Sequence, residues 1–177
     1  MQLRPEVQIA SMIKAMKDVV IPALGNSNKL ASEQAGLIVG MLHQMSVQLP
    51  VQYRFDRDEL GRLLGTTDEL LAVPVKDDNA RQAQQALGAL RGDAEQVLQG
   101  CQRDPDDLRA AVFALKERVC QVIDTLAASS DVDSQLKVEK IVLSMSKEQL
   151  LRDRALVKAQ GWEPDPAAVP AIAQLLA

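Results

Sequence analysis

Aromatic side chains are almost missing from this chain. Tyr53, Phe55, Phe113 and Trp162 make up 2% of 177 residues. That leaves no platforms on which bases or sugars could stack. Histidine is scarcer still, with His43 alone. A di-metal bundle site needs Glu-x-x-His pairs facing inward, and the residue three before His43 is Gly40. Zinc sites built from Cys and His fail for want of ligands. A nucleophile–histidine site would have to use His43 as its base, and nothing in the sequence pattern pairs it with a nucleophile. No catalytic residue, metal or cofactor is therefore assigned.

Positive charge is not in excess either. The net charge of −4 argues against general nucleic-acid binding, which needs a basic face to neutralise phosphates. No apolar run approaches the ~20 residues that span a bilayer. Met1-Gln-Leu-Arg-Pro-Glu shows no basic n-region and apolar h-region, so no signal peptide is expected. Two cysteines without one fit a reducing cytoplasm. Phosphate-cradling glycines are absent, because Gly88, Gly92 and Gly100 fall in a helical pattern rather than after a strand. Strict period-two alternation is absent too, so no sheet is expected.

What remains is helical periodicity. The expected fold is all-α: an antiparallel bundle of about five to six helices over 1–162. A Pro-rich connector and a short apolar helix at 163–177 should follow. The most apolar long segment is 28–49. On a helical projection Ile38, Leu42, Met45 and Leu49, with Ala31 and Ala35, form its apolar stripe. One flank carries a row of Ser32, Gly36, Gly40, His43 and Val47. An interior glycine costs about 1 kcal/mol relative to alanine, so two on one row predict a close approach to the backbone. A packed neighbouring helix is the bland expectation; a ligand or a second subunit in that groove is the sharper one.

Upstream, Pro5 suits a first helical turn and Pro22 weakens a last one. Arg4, Lys14 and Lys17 make this segment basic. Ser27 or Asn28 should cap the next helix. Pro50 either kinks a continuing helix or ends it, and an end followed by a restart is the favoured expectation. Asp56-Arg-Asp-Glu59 and Thr66-Thr-Asp-Glu69 resemble capping boxes, with Gly65 as a stop between two short helices. The cluster Asp56, Asp58 and Glu59 lacks the glycine and spacing of a calcium loop and reads as caps on a solvated face. Val73–Asn79 is the clearest linker and the one place for a subdomain boundary.

The cleanest pattern follows. Ala83, Leu87, Leu90, Ala94, Val97 and Cys101 recur at 4-3-4-3-4 spacing, as do Leu108, Val112, Leu115, Val119, Val122 and Leu126. Seams of this kind joined by a short turn predict an αα-hairpin over 79–128, with Asp104 as cap and Pro105 at the start of its second helix. The 28–49 helix is expected to lie against it. Cys101 and Cys120 should be too far apart to bond within one chain and read as small core or boundary residues. A further long helix is expected over 134–160, broken or bent near 144–147. Arg152, Arg154 and Lys158 close it on a solvated face. Gly161 reads as a left-handed C′ residue, with Trp162 folding back onto the helix.

The expected function is non-enzymatic association, as a homo-oligomer or as the accessory partner of another protein such as a metabolic enzyme. The candidate surfaces are the glycine row and an apolar tail of Trp162, Ile172, Leu175 and Leu176. The alternative is a bundle that binds a small apolar metabolite or acyl group, with His43 as its catalytic group if it is an enzyme.

Overall fold

In a computed structural model the described residues are 4–25, 28–100, 104–128, 131–161 and 163–176. Among them the fold is all-α and no strand occurs. Six helices run for eleven residues or more: α1 (Pro5–Ala15), α3 (Lys29–Gln48), α4 (Gln52–Leu71), α5 (Asp78–Gln99), α6 (Pro105–Ala127) and α7 (Val132–Val157). The one-turn helices α2 (Ile21–Leu24) and α8 (Ile172–Leu175) complete the set. The chain forms two compact units, 1–52 with 151–175, and 53–150 with 176–177. The Val73–Asn79 linker lies inside the second, so the division does not fall there.

The second unit holds the large core. All six residues of the expected α6 seam, from Leu108 to Leu126, are buried. From α5 come Leu87 and Ala94, with Leu90 and Val97 packed against them. The hairpin thus forms as its spacing predicts. Asp104 Oδ1 accepts from Asp106 N at 2.9 Å with Pro105 next, and Asp77 Oδ1 caps α5 through Ala80 N at 3.0 Å. Gln84 donates to the carbonyls of Leu70 and Val73, both at 2.9 Å, and so ties α5 to the end of α4 and the segment that follows it. Cys101 lies outside the described residues, while Cys120 is free and exposed on the outer side of α6 rather than in the core.

Three helix boundaries differ from expectation. Pro50 neither ends the chain's helical course nor restarts it: Leu49–Val51 is a 3-10 turn whose flanking residues stay right-handed helical. A tighter turn accommodates the missing N–H and the ring with a small change of pitch. The two apparent capping boxes are then interior to α4. Asp56 and Glu59 are buried rather than solvated. Glu59 pairs with Lys116 of α6 at 2.6 Å, and Asp58 with Arg62 at 2.9 Å. Gly65 does not stop the helix. Likewise α7 runs unbroken through 144–147. Upstream, Met16–Val20 is a π-turn joining α1 to α2, with Ile21 N–H donating to the carbonyl of Met16. That wider turn opens the space that the Pro22 ring needs.

In the first unit Ile9, Ala35, Val39, Ala155, Val169 and Ile172 are buried. Asn28 caps α3 through Ala31 N at 3.0 Å, and Ser27 lies outside the described residues. α3 belongs to the first unit, where it packs on α1, α2 and the 3-10 turn Lys158–Gln160, and the hairpin belongs to the second. Gly161 adopts φ 76°, the left-handed conformation expected of it. Trp162 lies outside the described residues.

Candidate functional site

The glycine row stands on α3 as its spacing requires, but its two glycines face open space. Gly36 and Val47 are exposed; Ser32, Gly40 and His43 are half-buried. A Cβ built on Gly36 or Gly40 meets no described atom within 4 Å. The packed neighbour that two interior glycines predict is therefore not provided by the described residues. Gly36 and Gly40 weaken α3 locally without serving a close contact within the chain.

The rotation of α3 explains this. Its inward pole holds Ala35 and Val39, with Ala31, Ser32, Leu42, His43 and Ser46 half-buried beside them. The large apolar residues point out. Leu30 is 67% exposed and Met41 61%, and Leu37, Ile38, Met45 and Leu49 are also exposed. Of the expected stripe, Ile38, Met45 and Leu49 thus face solvent. The residues that seemed to intrude on a polar side (Leu30, Leu37 and Met41) share the outward face with them. Small side chains at the inward pole suit the packing of α1 on α3.

His43 sits beside the π-turn. Lys17 Nζ lies 3.2 Å from His43 Nε2, and Ser46 Oγ donates to the His43 carbonyl at 2.7 Å. An ammonium has no acceptor, so in this contact Nε2 must accept and the ring proton belongs on Nδ1. The histidine's partner is a cation, not a hydroxyl, thiol or carboxylate that would build a nucleophilic or acid–base pair. Sequence reasoning did not join Lys17 to His43; the π-turn, which places Lys17, has no local signature beyond Pro22.

The apolar tail is covered by the protein itself. Ile172 and Leu176 are buried and Leu175 is half-buried. The cations expected on a solvated face hold this segment instead. Arg154 grips Glu163 through two bonds, 2.6 and 3.0 Å, while Lys158 Nζ donates to the Val169 carbonyl at 2.7 Å. Arg152 donates to the Leu175 carbonyl at 3.4 Å. The Arg154 guanidinium beside Glu163 holds that carboxyl below the usual carboxylate range. Gln160 and Gln44 are hydrogen-bonded, which ties the end of α7's course to α3.

Among the described residues no group of three or more His, Cys, Asp or Glu side chains is arranged to hold a metal ion, and no helix is long and apolar enough to cross a membrane. No family model, no curated protein and no solved structure matches the chain.

Proposed function

We propose that this protein works by association, and that the outward face of α3 is a contact surface for a second copy of the chain. The observation that supports this is the inverted helix: small residues turned in, and Leu30, Leu37, Ile38, Met41 and Met45 turned out. An apolar row of this length left in water is unfavourable, since each large side chain gains about 1.5–3 kcal/mol on full burial. Glu33, exposed, stands at the edge of that row, and Gln34 and Gln48 lie within it. The same face on a second copy offers apolar cover, and thioether side chains adapt to an imperfect fit. With the tail docked on its own chain, α3 takes over the role that the tail shared in the sequence.

Sedimentation of the purified protein over a concentration series tests this. The wild type should self-associate. Leu37→Glu with Met41→Glu should weaken that association at least ~100-fold, the equivalent of about 2.7 kcal/mol, with helicity retained because both sites are exposed. A wild type that stays monomeric at high concentration would sink the reading.

A further inference from the structure

The tail completes the first unit's core, yet its covalent link to that unit is a hinge. Of the six apolar residues buried among the unit's described residues, two, Val169 and Ile172, come from the tail. Three polar ties hold it to the last turns of α7 and the 3-10 turn after them: Glu163 to Arg154, the Val169 carbonyl to Lys158 and the Leu175 carbonyl to Arg152. Gly161 stands at φ 76°, and a glycine leaves that conformation for others at no steric cost. Pro164 and Pro166 stop the connector from joining α7 as further helix. The five residue steps from Gly161 to Pro166 span about 16 Å when extended.

That hinge lies beside the face proposed for association. The 3-10 turn Lys158–Gln160, which leads into it, packs on α3, and Gln160 is hydrogen-bonded to Gln44. Gln44 stands about 60° around α3 from Met41. An antiparallel pairing of two α3 helices, with its two-fold axis near Met41, keeps each flank on its own side. Both Gln44 residues, and with them both hinges, then come to the same edge of the interface. They lie about 9 Å apart along it, at 1.5 Å per residue, and packed helices sit about 8–10 Å apart. Each connector is long enough to cross. We infer that two copies of the chain exchange tails, so that residues 163–175 of each complete the first unit of the other. This deepens the α3 reading and rests on it. Exchange remakes the contacts that it breaks, and identical elements replace each other. The remaining cost is the hinge movement and the meeting of two chains. The α3 contact lowers the second part, because it holds each tail at high local concentration beside the other copy's site. The product is a closed dimer, since every site holds one tail.

The test is complementation between two variants of the full chain. Arg154→Glu sets a carboxylate against Glu163, and Glu163→Arg sets a guanidinium against Arg154, so neither chain holds its own tail well. In an exchanged heteropair the altered site of the first chain meets the altered tail of the second. The unchanged Arg154 meets the unchanged Glu163. Both clamps close at once, which no unexchanged arrangement allows. Lys158 and Asp165 stand beside the clamp, so the reversed pair is weaker than the native one but better than either like-charged pair. After joint refolding the two chains should form heteropairs at least ~10-fold more tightly than either pairs with itself. Native mass spectrometry with one chain tagged reads this, and the mixture should melt higher than either variant alone. Arg154→Glu/Glu163→Arg in a single chain is the control, and it should pair with itself. Arg154→Leu mixed with Glu163→Leu repeats the design without charge reversal, should a member of the first pair fail to fold. Statistical mixing with no gain in melting temperature overturns exchange; the α3 reading then stands if Leu37→Glu/Met41→Glu still abolishes assembly of the wild type. A heteropair preference undiminished when both chains carry Leu37→Glu/Met41→Glu supports exchange and overturns the α3 reading. A wild type that is monomeric overturns both.

Discussion

Thr67 is the one buried side chain of α4 whose chemistry the core does not answer. It is fully buried, and Oγ1 has no hydrogen-bond partner among the described residues. A threonine inside a helix can donate to the carbonyl four residues back, here Leu63, but this hydroxyl does not. An unpaired buried hydroxyl costs about 1–3 kcal/mol in lost hydration. Thr67→Val keeps the β-branched shape, replaces the hydroxyl with a methyl and leaves helix propensity almost unchanged. The gain should fall near the lower end, about 1–2 kcal/mol, because a methyl is bulkier than a hydroxyl and a packed core resists added volume. For a chain of this length that is a rise of roughly 3–6 °C in Tm. Thr67→Ser is the control. It keeps the unpaired hydroxyl and deletes a buried methyl, so it should destabilise by about 1 kcal/mol.

Urea unfolding followed by circular dichroism at 222 nm measures both changes. The midpoint should move up for Thr67→Val and down for Thr67→Ser, with the slope unchanged. The chain has two compact units, and their transitions separate if they unfold independently. The shift should then appear in the transition of the 53–150 unit, where Thr67 resides. A Thr67→Val protein less stable than wild type by 1 kcal/mol or more would refute the reasoning, since it would mean that the hydroxyl makes a favourable bond in solution.

Two further outcomes follow from the helix and the tail. Gly36→Ala and Gly40→Ala each add a methyl where no described atom lies within 4 Å, so together they should stabilise the protein by about 1–2 kcal/mol. The association state should not change, because the glycine row lies well around the helix from Leu37 and Met41. A destabilised double variant in thermal melts would show that something presses on the glycines. Glu163 has a carboxyl held below its ordinary range by Arg154, so its pairing stabilises the fold above the unfolded-state value of about 4.3. That contribution is lost as pH falls through the lower, folded-state value. Glu163→Gln should therefore be less stable than wild type at pH 7, with the gap closing in acid. A gap that stays constant down to pH 3 in urea titrations would assign the effect to something other than charge.

The hairpin was legible because one property, burial, selects every position of its seam. From Leu108 to Leu126 no seam position of α6 carries a polar residue, and Asp104-Pro105 marks the start unambiguously. The two boxes of α4 misled because a capping box is a local pattern, while its function depends on a helix beginning there. Within a continuous helix the same acids find other partners: Glu59 reaches Lys116, and Asp58 reaches Arg62 one turn on. The tail shows the same limit from the other side. Arg152, Arg154 and Lys158 look like ordinary solvated cations until residues 163–175 return beside them, and nothing local in the sequence announces that return.

The glycine row and the α3 stripe bear on function most directly, and there the sequence pattern was sound but its orientation was not. Hydrophobic periodicity finds the apolar face of a helix and equates it with the buried face. That equation holds when the chain supplies its own cover, as α5 and α6 do for each other. In α3 it fails: α1 takes the side lined by Ala35 and Val39, and the larger apolar side chains are left outside. The same holds for α7, where Ile141 and Val138 serve the core while Leu136, Leu143 and Leu150 do not. A helix with two apolar faces has one more than its own fold uses. On α3 the proposed contact rests on apolar area alone, so a conservative change such as Met41→Leu should leave assembly intact in sedimentation, while a charge placed there by Met41→Glu should not.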